Sequence, residues 1–162
     1  MRRGLGWLYY YGRRYDQARY HFTRAIAMNP TAEETYRILG LTFAELGRFE
    51  EAERVLREAA GLPGAGAYAA ANLGHVLARA GKRDEAAAIL AQLVERSGRE
   101  YVSPVAFALL YIGLGDFDRA LLWSERAFEE RRGWMAYLKV HPVVDPLRSH
   151  PRFQELVRRM KL

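Results

Sequence analysis

Between Tyr36 and Ala59, apolar residues recur at the three- and four-residue spacing of a helix, break at Gly47, and resume in a new phase. Ile38, Leu39 and Phe43 line one face of the first segment; Phe49, Ala52, Val55, Leu56 and Ala59 line one face of the second. The pattern predicts two short amphipathic helices joined by a turn. A shift of 34 residues returns the same residue types. Leu39 matches Leu5, Leu73 and Phe107, and Gly40 matches Gly6, Gly74 and Ala108. Phe43 matches Tyr9, Leu77 and Tyr111, and Phe49 matches Tyr15, Arg83 and Phe117. Gly47 matches Gly81, Gly115 and, in the first copy, Arg13, whereas Ala52 matches Ala18, Ala86 and Ala120. Four copies hold this register without insertion, and a fixed period of this length marks a helical solenoid.

Each column has a physical reason. Gly6, Gly40 and Gly74 stand inside predicted helices, where glycine costs roughly 1 kcal/mol against alanine. Such a cost predicts that a neighbouring helix backbone comes close there, with Ala18, Ala52, Ala86 and Ala120 yielding space from the partner helix. Gly47, Gly81 and Gly115 fit the left-handed residue that closes a helix. Pro30 and the pair Leu62-Pro63 end second helices. No single repeat can bury its own apolar stripe, so stacking has to supply the core.

The register divides the chain into repeats at 1–32, 33–66, 67–100 and 101–132, followed by a segment at 133–162. The first helix, residues 2–11, starts without a capping residue, and the frame calls for two residues before Met1. The chain therefore reads as a piece of something longer or as one with a bare first helix. Trp7, Tyr9, Tyr10 and Tyr11 surround this helix with aromatic surface, which predicts cover by another copy or a neighbour. Ala18, Phe22, Ala25 and Ile26 are expected to face inward from the second helix. Thr31 with Glu34 predicts a capping box, and Ser103-Pro104 predicts a helix start. In the last segment Pro142, Pro146 and Pro151 forbid a continuous helix. Ser149 is the expected cap of a final helix whose apolar face carries Phe153, Leu156, Val157 and Met160, fit to shield the last repeat.

The aromatic/Leu-Gly/aromatic, turn-Gly, Ala and terminal-Pro pattern resembles the tetratricopeptide repeat (TPR). The resemblance implies an all-α fold: a right-handed α-solenoid of about four helix-turn-helix repeats with a C-terminal capping helix. Tyr101-Val-Ser-Pro104, Gly113-Leu-Gly-Asp116, Trp134 with Leu138-Lys-Val, and Asp145-Pro-Leu-Arg-Ser149 with Pro151-Arg-Phe153 sharpen it. They resemble the TPR region at the C-terminal end of bacterial multidomain signalling and regulatory proteins. That subfamily implies an interaction or sensor module. His141 and His150 depart from it, standing where such tails usually carry Asp.

Composition narrows the function. The chain has 162 residues, half of them hydrophobic, and no apolar run long enough to span a membrane. Met-Arg-Arg runs directly into a repeat helix rather than into a signal peptide, and cysteine is absent, which excludes disulfides and thiol catalysis. A cytoplasmic protein is the expectation. The net charge of +6 is concentrated at the ends: +5 over residues 1–30 and +4 over 133–162, against −3 over 31–60. Basic ends permit a nucleic-acid reading, which is the weakest of those considered; solvated helix faces account for them better.

Catalytic chemistry finds no motif. His21, His75, His141 and His150 are too scattered for a local metal motif, and no serine lies in G-x-S-x-G. The connector Gly61 to Gly66 lacks a phosphate-loop pattern and reads as a turn. Glu50, Glu51 and Glu53 suit a helix N-terminus. No enzyme, metal or cofactor is expected.

The resemblance places binding on the first helix of each repeat, which lines a concave groove in TPR proteins. That face gives Arg3, Trp7, Tyr10 and Tyr11, then Arg37 and Leu41, then Tyr68, Asn72, His75 and Arg79, then Leu109. Trp7, Leu41 and Leu109 serve equally well as packing between helices. The carboxylate clamp of chaperone-binding TPR domains would need two Lys/Arg, two Asn and a further basic residue. Arg3, Trp7, Ile38, Tyr68 and Asn72 stand in those places, and only Arg3 keeps the chemistry. The leading expectation is a non-catalytic protein–protein interaction scaffold whose groove takes a peptide or helix with apolar and acidic residues. The alternative is homo-oligomerisation of a larger regulator through residues 2–11.

Overall fold

The computed structural model describes residues 2–161, the side chains of Arg2 and Arg3 excepted. Four helix pairs follow one another: α1 (Arg2–Tyr11) with α2 (Tyr15–Met28), α3 (Glu33–Glu45) with α4 (Phe49–Gly61), α5 (Ala67–Arg79) with α6 (Arg83–Ser97), and α7 (Pro104–Leu114) with α8 (Phe117–Glu129). Two 3-10 helices, Gly133–Tyr137 and Pro142–Leu147, lead into α9 (Pro151–Arg159). Within each pair the helices pack on each other, and the first helix of every later pair lies against the pair before it: α3 on α2, α5 on α3 and α4, α7 on α5 and α6. The result is the all-α solenoid that the period implies.

The tight turns repeat because the backbone repeats. Gly47, Gly81 and Gly115 adopt φ of 73°, 85° and 77°, the left-handed conformation that glycine reaches without a Cβ penalty. In the first pair Arg13 takes that conformation at φ 61°. A non-glycine residue there costs about 1–2 kcal/mol. Its guanidinium spans to Asp145 with bonds of 2.7 and 2.8 Å, an interaction that a glycine could not make.

Gly6, Gly40 and Gly74 make room for side chains rather than for backbone, which corrects the expectation from spacing alone. Only Gly113 in α7 admits a neighbouring backbone: a Cβ there would lie 2.7 Å from His75 Cα. A Cβ on Gly40 would lie 2.4 Å from Leu56 Cγ, and one on Gly6 would lie 2.5 Å from the Phe22 ring. Leu56, Phe22 and the alanines Ala18, Ala52, Ala86 and Ala120 are all fully buried. They belong to one core that runs from Tyr10 and Phe22 through every pair to Leu156. Ala25 and Ile26 are only partly covered.

Two helix starts differ from the sequence expectation. Thr31 does not cap α3: its hydroxyl bonds Asn29 Oδ1 at 3.0 Å, and the helix begins at Glu33 behind Ala32. Ser149 does not cap α9 either, because His150 Nδ1 accepts the Arg152 N–H at 3.2 Å and Pro151 follows as the first helical residue.

The segment after α8 crosses to the other end of the chain. It buries Met135, Leu138, Val143, Val144 and Leu147, and then α9 buries Phe153 and Leu156 beneath an Arg152–Glu125 pair at 2.6 and 2.7 Å. The Tyr137 ring stacks on Tyr11 at 5.4 Å and 9°, beside the Arg13–Asp145 bridge. The aromatic first helix is therefore partly covered by the protein's own C-terminal segment, where sequence spacing had pointed to another molecule.

Replacing Gly40 by alanine separates packing from helix propensity. Propensity alone would stabilise by about 1 kcal/mol. The clash with buried Leu56 reverses the sign, and a net loss of roughly 1–3 kcal/mol is expected in urea unfolding.

Candidate functional site: the concave cavity

The first helices of the pairs, α1, α3, α5 and α7, supply one wall of a partly open cavity of about 670 Å3; the C-terminal segment supplies the other. Gly4, Trp7 and Tyr11 come from α1; Glu34, Arg37, Ile38 and Leu41 from α3; Tyr68 and Asn72 from α5; Leu109 from α7. Trp134, Tyr137 and His141 close it from the segment that follows α8. A volume of this size falls in the range of ligand sites, roughly 300–1,000 Å3.

Aromatic rings define its shape. Trp7 stacks on Tyr11 at 5.2 Å, and Tyr11 in turn stacks on Tyr137. Trp134 stands 5.5 Å from His141, whose ring meets Tyr10 and Tyr11 edge-on at 5.6 and 5.7 Å. Ile38, Leu41 and Leu109 form an aliphatic floor, each nearly fully buried.

Several polar groups of the lining are already engaged. Arg37 Nε lies 2.7 Å from Glu33 Oε1, and its guanidinium rests 5.4 Å from the Tyr68 ring centre. The Tyr68 hydroxyl shares a hydrogen bond with Ser103 at 3.1 Å, and Asn72 Nδ2 donates to the Tyr68 carbonyl at 2.7 Å. His141 Nδ1 accepts the Val143 N–H at 3.3 Å.

Seven of the residues placed on the concave face by sequence line the cavity: Trp7, Tyr11, Arg37, Leu41, Tyr68, Asn72 and Leu109. The side chain of Arg3 lies outside the described residues. Tyr10, His75 and Arg79 do not line it. Tyr10 is fully buried and points into the core instead of the groove. His75 is buried too, its Nδ1–H donating to the Leu109 carbonyl at 3.0 Å under the α5–α7 contact. Arg79 turns aside to bind Glu45 at 2.5 Å, the residue one repeat earlier in the same register. Trp134, Tyr137 and His141 escaped the sequence reading because they belong to no repeat, so no register could carry them onto the concave face. The only signal was the cluster of aromatic residues in a proline-broken segment.

Burial holds two histidines neutral. His75 is pushed down to about 4, by burial first and then by the nearby Arg79 charge. His141 is pushed down to about 3, again by burial first, with His75 and Arg13 adding to the effect. Burial likewise raises the Tyr10 and Tyr11 hydroxyls well above their ordinary value. Within the cavity lining, burial thus keeps the His141 imidazole and the Tyr11 hydroxyl uncharged near neutral pH.

The repeating pairs and their concave wall agree with the comparison to known families. Residues 3–70 and 67–92 match models of the tetratricopeptide repeat, more than half of the chain together. The chain belongs to the tetratricopeptide-repeat family. No curated protein matches it. Tetratricopeptide repeats generally mediate protein–protein interaction, and the cavity is lined from the first helix of every pair. Among the described residues of this TPR chain, no group of three or more His, Asp or Glu side chains could hold a metal ion. Nor, among the described residues, is any helix long and apolar enough to cross a membrane.

The depressed histidines make stability depend on pH with a definite sign. Between about pH 6.5 and their folded values the unfolded chain binds more protons than the folded one, so stability falls as pH falls through that window. The slope approaches about 1.4 kcal/mol per pH unit for each histidine. Urea midpoints measured from pH 7.5 to 4.5 should drop accordingly, and His141→Gln should flatten the profile.

Proposed function

We propose that the protein is a non-catalytic interaction module whose concave cavity takes a segment of a partner protein. The observation that carries this reading is the convergence of four repeat helices and the C-terminal segment on one aromatic-lined cavity. Trp7, Tyr11, Tyr68 and Trp134 provide the rigid, wide contact surfaces that anchor residues use at interfaces, and Arg37 adds the other residue type enriched there. The partner contributes apolar side chains to the aliphatic floor of Ile38, Leu41 and Leu109.

Electrostatics refine the partner's chemistry. Arg37 already holds Glu33, and Arg79 holds Glu45, so neither is a bare cation awaiting an acid. An acidic residue of the partner shares Arg37 with Glu33 through the guanidinium's remaining N–H donors, next to the apolar anchor. The segment is short, because the C-terminal segment occupies one side of the concave face. A helix turn or a few extended residues fit a cavity of about 670 Å3, whereas a long peptide running the length of the solenoid does not.

Affinity capture from host lysate, with partners identified by mass spectrometry and then titrated in purified form, tests this function. Tyr68→Ala and Arg37→Glu should each weaken binding of the same partner by ~2 kcal/mol or more, about thirtyfold. An Arg24→Glu control on the convex side should bind as the unaltered protein does. Retention of every partner by both cavity variants would move the function away from the concave face.

A further inference from the structure

The outward face of α1 departs from its counterparts in the later repeats. Leu8 holds the register position of Thr42, Val76 and Leu110; those three are 0 % exposed, and Leu8 is 66 % exposed. Leu5 is 39 % exposed where Leu39, Leu73 and Phe107 are 5 %, 6 % and 2 %. The cause is geometric. Leu110 sits against Gly74 of the preceding pair, so closely that a Cβ there would lie 2.3 Å from Leu110 Cδ2. In α3, α5 and α7 this face receives the preceding pair. In α1 it receives none among the described residues.

Charge shows what kind of surface would fit. Among the described residues, ion pairs reinforce the contacts between successive pairs: two set an acid of the earlier pair against a cation of the later one, and one, Arg57–Glu85 at 3.0 Å, runs the other way. Lys82 Nζ reaches back to Glu53 at 2.7 Å, and Arg79 reaches back to Glu45. Arg14 holds the register position of Lys82, two repeats earlier. Its guanidinium rests over the Tyr9 ring at 4.8 Å and makes no ion pair among the described residues. Residues 1–30 carry six arginines against one aspartate. Two copies meeting through this face would set like charges against each other, a repulsive arrangement. The opposite end cannot serve as the cover either, because the C-terminal segment and α9 already bury it with Leu147, Phe153 and Leu156.

We propose that the outward face of α1 docks an acidic helix pair of a partner protein, which packs over Leu5 and Leu8 and sets a carboxylate against Arg14. This surface is separate from the concave cavity, and the two can be occupied together.

A probe of the required chemistry exists within the chain. A synthetic peptide of residues 33–61 carries seven glutamates against four arginines, covers the equivalent face of α5 in the folded protein, and includes Glu53. It is titrated into the intact protein and followed by amide NMR shifts. Saturable shifts centred on Leu5, Leu8 and Gly12 are expected. Leu8→Arg in the protein should weaken the complex at least tenfold; Glu53→Lys in the peptide and added salt should each weaken it severalfold. Leu8 is exposed, so the Leu8→Arg protein should keep its helical circular dichroism and Tm, which separates lost docking from lost folding. The proposal fails if no saturable binding occurs, or if binding is indifferent to Leu8→Arg. Sedimentation of the free protein as a dimer that Leu8→Arg dissolves would also overturn it, by placing a second copy on the face.

Discussion

The return of the C-terminal segment onto α1 is the contact on which the concave site depends. Without it the first helices of the repeats would line an open trough; with it, Trp134, Tyr137 and His141 turn the trough into a cavity. The visible link is the Arg13–Asp145 bridge, but both side chains remain substantially exposed, and a pair of that kind contributes about 1 kcal/mol or less. Apolar burial contributes more. Leu138, Val143, Val144 and Leu147 are essentially removed from water, and each such side chain stabilises by about 1.5–3 kcal/mol. The apolar residues hold the segment down, and the bridge with the Tyr11–Tyr137 stack fixes where it lies.

The solenoid was legible in the sequence because every pair solves the same packing problem with the same residues. The Ala52 column, the turn at Gly47 and the glycine at Gly40 each answer a local constraint that recurs every 34 residues. The concave residues followed wherever the register alone decides direction, as for Trp7, Arg37, Tyr68 and Leu109. Register stops being informative where a non-local partner captures the side chain. Arg79 was drawn to Glu45 and His75 to the Leu109 carbonyl, interactions that a single repeat does not contain. Tyr10 occupies a column that is buried in every pair, with Ala44, Ala78 and Ile112, and the returning segment adds His141 against its ring. The helix caps failed for a local reason: the Asn29 side chain competes for Thr31, and the His150 imidazole takes the place expected of Ser149.

Charge follows the same logic. A net charge of +6 suggested exposed cations awaiting a partner, yet Arg37, Arg57, Arg79, Lys82 and Arg152 all hold carboxylates within the fold. Several of these pairs join successive repeats and so fix their stacking. The interaction surfaces that remain are defined more by uncovered apolar area than by net charge: the aromatic cavity on the concave side and Leu5 with Leu8 at the end of the solenoid.

Hydrogen–deuterium exchange across the whole chain tests the central claim most directly. A segment that completes the cavity as part of the folded core requires amides between Tyr137 and Arg148 to exchange slowly, on the scale of those in α3 and α5. Rapid exchange of that segment at the rate of an unfolded chain, with α3 to α8 still protected, would contradict it and leave an open trough in place of a closed site.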